Sequence, residues 1–188
     1  MKPTLAAAII FALTPLALAA QSSMPGMSMP AKPPVTPSTG VSVFLDAETP
    51  MSVFNIAALQ SLPQQTITAV DGHTGKTVAF TGPLVADVLR KAGVPPPDEA
   101  HERILHSLVR ATGTDGYFVI YSLTEMEPAF SSGKVIIALE ADGKPVESGL
   151  QLVNPLDAKP ARWVHGLRAL VLTQLMPTAL EKLPPPSK

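Results

Sequence analysis

Proline most constrains what this chain can fold into, because it ends helices and removes a hydrogen-bond donor from strands. Twelve of the 21 prolines in the 188 residues fall within three stretches, 25–37, 95–97 and 177–186. The first and last stretches have too few apolar side chains to offset the entropy lost on ordering. We therefore predict a disordered Met- and Pro-rich leader over 20–40, a folded domain over 41–175 and a Pro-rich tail over 176–188.

The first nineteen residues have the pattern of a cleaved secretory signal peptide. Lys2 supplies a positive end, residues 5–18 are mostly apolar, and the small residues Ala17 and Ala19 stand at the spacing that signal peptidase requires. An uncleaved membrane anchor is the alternative, but the run is shorter than the ~20 residues that a spanning helix needs. We predict cleavage after Ala19, a periplasmic or secreted protein, and no membrane span in the mature chain.

Charge and cysteine content exclude several classes of function. Lys and Arg number 14 and Asp and Glu 15, for a net charge of −1, whereas nucleic-acid binders carry a basic face. There is no cysteine, which excludes disulfides, a thiolate nucleophile and Cys-ligated metal sites. We expect no nucleic-acid partner.

The periodicity of apolar residues predicts an α+β domain of many short strands and two or three short helices. Runs rich in β-branched residues predict strands at 41–45, 66–70, 77–81, 108–112, 117–121, 135–140, 151–154 and 167–173. Helical spacing predicts helices over 52–62 and 83–92, the second with Pro83 in its first turn and Gly93 as C-cap. Ser122 and Glu125 have the spacing of a capping box. His101 and His106 follow the break at 95–97 and are expected on a solvated surface.

Several short motifs recur in the order of a known family. They are Ser61-Leu62-Pro63, Phe80-Thr81-Gly82-Pro83-Leu84, Leu89 to Val94, Thr112 to Tyr117, Tyr121 to Met126, Asp142 to Pro145, Leu152 to Pro155 and Arg162-Trp163-Val164. Together they span residues 41–173, and the chain resembles the oxidoreductase molybdopterin-binding domain of the sulfite-oxidase type, in its small stand-alone exported form. The resemblance implies a mostly β, sandwich-like α+β fold around a cofactor pocket.

The resemblance does not carry the family's chemistry with it. Catalytic members ligate molybdenum through a cysteine thiolate, and this chain has no cysteine. Two interpretations stay open: the protein holds a molybdopterin-type pterin through hydrogen bonds and acts with a redox partner protein, or it is a non-catalytic module that uses the pocket for another ligand or partner. Sulfite-oxidase-type catalysis is not expected, and whether the chain is an enzyme stays open.

Five residues are candidates for contacts with the pterin or with a small anionic ligand. Arg162 can bind a phosphate or carboxylate, Trp163 offers a flat apolar wall, and His165 faces the same way in an extended segment. The alternative is an Arg162 surface ion pair, a core Trp163 and a solvated His165. Asp115 can point to a ligand or stabilise its turn, and Tyr117 can face the pocket or pack in the core, with Tyr121 on the same side of the strand.

Three methionines suggest a further possibility outside the resemblance. Met24, Met27 and Met29 lie within six residues of the leader, and thioethers are soft ligands for Cu(I). The alternative is a linker in which methionine is incidental. The hypothesis is a copper-handling protein that binds the metal through this segment.

Overall fold

The structure is a computed structural model that describes residues 32–46, 50–72 and 74–175. Within these ranges the chain forms both α-helices and β-strands. Most residues in secondary structure belong to three sheets, and four short α-helices lie between strands along the chain. The mixed, strand-rich class predicted from the periodicity is confirmed. The predicted signal peptide, most of the leader and the tail lie outside the described residues.

The largest sheet has five strands. In spatial order they are β2 (Pro50–Asn55), β1 (Gly40–Leu45), β12 (Leu167–Gln174), β5 (Ser107–Gly113) and β6 (Phe118–Ser122). The first and last strands of the domain, β1 and β12, pair in parallel at the centre, and the other pairs are antiparallel. The two ends of the folded domain are therefore joined in one sheet.

A four-stranded sheet is built on the predicted hairpin. Its strands, in spatial order, are β3 (Gln64–Val70), β4 (Thr77–Pro83), β8 (Glu140–Ala141) and β9 (Lys144–Pro145). The hairpin register pairs Val70 with Thr77 across the intervening turn. Asp142 has a φ of 49° and Gly143 a φ of 72°, the left-handed conformations that the tight turn between β8 and β9 requires.

The third sheet has three short strands and lies between the other two. These are β11 (Val164–His165), β10 (Gln151–Val153) and β7 (Ile136–Ala138), with β10 in the middle. Successive residues of a strand point to opposite faces, so this sheet contributes side chains to two hydrophobic clusters, one on each face. Ile137, Leu152 and Val164 face the large cluster, which the five-stranded sheet and the helices complete. Ile136, Ala138, Val153 and Trp163 face a smaller cluster with Ile67, Ala69 and Phe80 of the hairpin.

The predicted helix over 52–62 is wrong in its first part. Residues 50–55 form β2, in which Val53 pairs with Ser42 of β1, and only Ile56–Gln60 is helical (α1). The Asn55 side chain accepts a hydrogen bond from the Ala58 backbone N–H at 2.8 Å, which starts the helix there. β2 and α1 each bury an apolar residue, so the apolar spacing of the combined segment resembles that of a single helix.

The remaining helices agree with the sequence to different degrees. α2 (Val85–Lys91) begins two residues later than predicted, because Pro83 ends β4, and Gly93 follows it with a φ of +105°. α3 (Pro97–Leu105) was not predicted: Pro97 takes its first position, where a missing N–H costs nothing. α4 (Leu123–Met126) has the predicted capping box. His101 and His106 are exposed, as predicted.

The described chain begins within the predicted leader. Residues from Lys32 onward belong to the same compact unit as the sheets. Thr36 donates its N–H to Thr114 Oγ1 at 3.1 Å and accepts from the same hydroxyl at 2.7 Å, and Ser38 N–H donates to Ser148 O at 2.8 Å. This short segment therefore lies against the domain.

Across the described ranges, no helix has both the length and the apolar character needed to cross a bilayer.

Candidate functional site

The central strand of the three-stranded sheet carries a glutamine. Gln151 of β10 lies opposite His165 of β11 on one side and Ala138 of β7 on the other. Directly opposed residues of adjacent strands project from the same face. Gln151 therefore lies at the edge of the smaller hydrophobic cluster, on the face that the hairpin covers.

A cleft of about 560 Å³ opens beside this glutamine. Its lining consists of Asp71, Thr74, Val78, Phe80, Ala141, Asp142, Lys144, Pro145, Val146, Glu147, Ser148, Gln151 and His165. Strands β4 and β10, the β8–β9 turn and the residues after β9 supply most of it. Its volume is in the range of small-molecule sites, and it combines an apolar wall with a charged rim.

The Gln151 side chain is buried and incompletely bonded. The residue is only 3% exposed, and its Nε2 has no hydrogen-bond partner among the described residues. It is the one buried side-chain nitrogen or oxygen in this part of the chain without a partner. A buried donor without an acceptor costs about 1–3 kcal/mol, so such a group calls for an explanation, and binding of a ligand is one.

Two further cavities adjoin the cleft at His165. One of about 180 Å³ is bordered by Asp71, Gly72, Pro160, Ala161, Trp163 and His165. Another of about 450 Å³ is bordered by Val35, Pro37, Glu147, Ser148 and His165. His165 thus borders all three, and the leader segment supplies part of the outer wall.

A smaller, mainly apolar cavity of about 110 Å³ lies elsewhere, near Ile104, Leu123 and Leu172. No partnerless buried polar side chain of the described residues lines it. Asp46, Arg103, Ser107 and Gln174 also border it, beside its apolar residues.

Trp163 is a core residue as well as a cavity wall. It is 4% exposed, its ring meets Phe80 edge to face with centroids 5.5 Å apart, and its Nε1–H donates to Asn154 O at 3.1 Å. The indole therefore fixes the position of β11, and only part of it borders the small cavity. Trp163 is buried as the core alternative expects, and its contact with a pterin or another ligand stays a prediction.

Arg162 points to a different environment from Trp163. Its guanidinium donates to Asp157 Oδ1 at 2.5 and 3.0 Å and to Glu125 Oε2 at 2.9 Å, and it lies 4.4 Å from the Tyr121 ring centroid. The hydrogen bonds to Asp157 and Glu125 raise the pKa of the guanidinium. Arg162 borders none of the cavities described above, and its charge is matched by two carboxylates. Binding of an anionic ligand by Arg162 stays a prediction.

Asp115 and Tyr117 belong to the contact between the leader and the domain. Lys32 Nζ lies 2.7 Å from Asp115 Oδ2 and 4.4 Å from the Tyr117 ring centroid, and Tyr117 N–H donates to Asp115 Oδ1 at 2.9 Å. Burial raises the pKa of Asp115, but the bonds from Lys32 and Tyr117 outweigh it and leave the pKa below its usual value. The Tyr117 hydroxyl donates to Ala161 O. Neither residue borders the cleft, so their predicted contact with a cofactor stays untested.

The described residues offer little to a metal ion. They contain no group of three or more His, Asp or Glu side chains placed to hold one. The whole chain lacks cysteine. Met24, Met27 and Met29 lie outside the described residues, so the copper hypothesis stays a prediction.

No protein-family model matches this chain, and no curated protein matches it in sequence. The molybdopterin-domain resemblance therefore stays a prediction, and the cleft itself has to indicate the function.

Sequence reasoning missed Gln151, the residue that most strongly marks the cleft. Its signal lies in the run Leu150-Gln151-Leu152-Val153, where a single polar side chain interrupts a buried strand. A buried strand of this kind is normally continuously apolar. The polar residue within this apolar run is therefore the sequence signal for Gln151.

Proposed function

We propose that this chain is an exported binding module that holds a small polar ligand in the cleft beside β10. The observation that carries the proposal is the partnerless Gln151 amide, 97% buried at the wall of a 560 Å³ cleft. A ligand that turns the Gln151 side chain toward the cleft and accepts a hydrogen bond from Nε2 offsets the cost of burying that donor. The gain is specific, because ligands without an acceptor at that point leave the cost in place.

The surrounding side chains support binding more than catalysis. Val78, Phe80 and Val146 provide apolar contact area, and His165 joins the cleft to the neighbouring cavities. Trp163 and Phe80 hold the wall rigid through their edge-to-face contact. A rigid wall with a large apolar part is typical of a preformed binding site.

The pterin implied by the resemblance is one ligand class that meets these requirements in part. Its ring offers hydrogen-bond acceptors for Gln151 and a flat face for the cavity beside Trp163. The metal-binding part is not matched, because the chain has no thiolate and Arg162 is held by Asp157 and Glu125. We therefore propose a ligand held through its ring, without a cysteine-ligated metal.

The sandwich-like arrangement belongs to this proposal. The three-stranded sheet faces one hydrophobic cluster on each side, which supports a layered domain with the cleft at its border. The signal-peptide pattern supports a site of action outside the cytoplasm.

The test is retention of a ligand by the full chain expressed in and exported by its native host. Small molecules released on denaturation are identified by mass spectrometry, with pterin fluorescence as a separate readout. We expect a compound that wild type retains and Gln151→Met does not. Gln64→Met is the matched control, because that amide is exposed and lies away from the cleft. Equal recovery from wild type and Gln151→Met, or none from either, contradicts the proposal.

A further inference from the structure

The five-stranded sheet has an outer face that belongs to neither hydrophobic cluster. Its inner face packs on the large cluster through residues such as Val43, Val109 and Leu170. The strand registers align two rows of side chains on the other face. One row runs through Phe44, Val171, Arg110 and Ile120, and the other through Val53, Ser42, Ala169, Thr112 and Phe118. None of these residues is part of either cluster.

The outer face is apolar where a solvated sheet is normally polar. An antiparallel sheet that meets water on one side usually alternates apolar residues inward with polar residues outward. Here Val53 is 67% exposed, Phe118 54% and Ile120 53%. They lie on the two edge strands, β2 and β6, so the exposed apolar surface extends across the whole sheet. Grouped apolar side chains of this kind mark a contact with another molecule.

The charge on the outer face is positive. Arg110 lies between Val171 and Ile120 in its row, with its guanidinium carbon 6.0 Å from the Phe118 ring centroid. Arg168 stands at the bulge of β12 and borders a depression of about 550 Å³ on this face, together with Phe44 and Val53.

These two arginines have no carboxylate partner. Neither takes part in an ion pair found among the described residues. The two rows and the described lining of the depression contain no Asp or Glu. Because a guanidinium beside apolar surface binds a carboxylate through paired hydrogen bonds, the face complements a surface that is both acidic and apolar.

Charge and area argue against a second copy as the occupant. Two copies that met through this face would bring arginine against arginine. Five strands about 4.8 Å apart give a face about 20 Å wide, which covers about 300 Å². This is well short of the about 800 Å² that each partner buries in a stable interface. The area fits a transient complex.

Segments of this chain outside the described residues do not supply the missing negative charge. Residues 20–31 contain no charged side chain, and residues 176–188 contain Glu181 against Lys182 and Lys188. The complementary charge has to come from another molecule.

We propose that the outer face of the five-stranded sheet docks a different protein in a transient complex, and that the partner's contacting surface combines carboxylates with apolar side chains. Arg110 and Arg168 bind the carboxylates, and Phe118, Ile120 and Val53 supply the apolar contact. The proposal concerns a surface separate from the cleft beside β10 and does not depend on a ligand there.

Site-specific crosslinking in the native host identifies the partner. The photo-reactive residue p-benzoylphenylalanine is placed at Phe118 of the full exported chain, and at Val70 as a control, which is 56% exposed on the hairpin. Mass spectrometry of the crosslinked peptide gives its sequence. We expect a peptide of another protein that carries Asp or Glu next to apolar residues, from position 118 and not from position 70.

Charge variants then test the contact with the identified protein after purification. Replacing both Arg110 and Arg168 by Gln should weaken its Kd for the full chain at least about tenfold. Raising salt from about 50 to about 300 mM should weaken binding to wild type more than to this double variant. Lys91→Gln combined with Arg103→Gln is the matched control, because it removes the same charge from exposed positions of α2 and α3. We expect its Kd to stay within about twofold of the wild-type value.

A single apolar substitution tests the same face independently of charge. Ile120→Thr keeps a β-branched residue in β6 and should weaken the Kd about threefold or more, while Val70→Thr should not change it. Circular dichroism verifies that each variant is folded.

Three crosslinking results overturn the proposal: no product beyond that of position 70, a product with a second copy of this chain, or a contacting peptide without carboxylates. A Kd that the arginine double variant and its matched control change equally also overturns it.

Discussion

Replacing Gln151 by methionine should stabilise the protein while removing ligand binding. The amide Nε2 is buried without a partner, and burying such a donor costs about 1–3 kcal/mol. Methionine has a similar length, carries no hydrogen-bond donor and adds apolar surface beside Val153 and Trp163. After part of the gain is lost to imperfect packing, we expect the free energy of unfolding to rise by about 1 kcal/mol.

The measurement is urea unfolding of ligand-free protein, followed by circular dichroism. A gain of this size moves the midpoint upward at constant slope and raises Tm by about 2–4 °C in a domain of this size. Gln64→Met is the control: its Nε2 donates to Leu59 O at 3.0 Å and Leu62 O at 2.7 Å, so its loss should cost about 1 kcal/mol. If Gln151→Met is destabilised as much as Gln64→Met, the amide has a partner and the reasoning is refuted.

Three other substitutions test the surrounding structure. Arg162→Ala should lower the free energy of unfolding by about 1–2 kcal/mol, because it leaves two carboxylates without their counter-ion. Arg162→Lys should recover part of this loss in urea unfolding. An Arg162→Ala variant as stable as wild type would contradict the ion-pair assignment. Burial raises the pKa of the Glu127 carboxyl, although Arg90 lies 2.6 Å away. Glu127 therefore stabilises the fold fully at a pH below its pKa in the unfolded chain, and this stabilisation is lost as pH rises through its pKa in the folded protein. Glu127→Gln should flatten the fall in stability from pH 4.5 upward, and an unchanged slope between pH 4 and 8 would refute this assignment. Gly82→Ala should unfold the domain or cost more than about 3 kcal/mol, because its Cβ would lie 1.9 Å from the Ile137 carbonyl oxygen; a Tm within a few degrees of wild type would show that the strands can separate.

Local chemistry made part of the fold predictable. The hairpin β3–β4 follows from β-branched runs on either side of a turn that contains Asp71 and Gly75, and α4 follows from the spacing of Ser122 and Glu125. Interactions within a few residues decide these elements. The sequence contains all of the information that they require.

Contacts between distant segments were not predictable in the same way. Arg162 reaches Glu125, which is 37 residues away in the chain, and a pattern around Arg162 gives no sign of that partner. The pairing of β2 with β1 overrides the helical spacing of residues 52–62. The burial of Gln151 likewise depends on the hairpin that covers its face.

The most direct test of the central claim is the side-chain amide NMR signal of Gln151. The signal is assigned by its absence in Gln151→Met and compared between the full chain as purified from its host and the same protein after unfolding and refolding to remove bound compounds. We predict that the amide protons shift downfield in the protein as purified, because Nε2 then donates a hydrogen bond to the ligand. Identical amide signals in the two samples, with a bound compound present in the first, would show that the ligand does not contact Gln151.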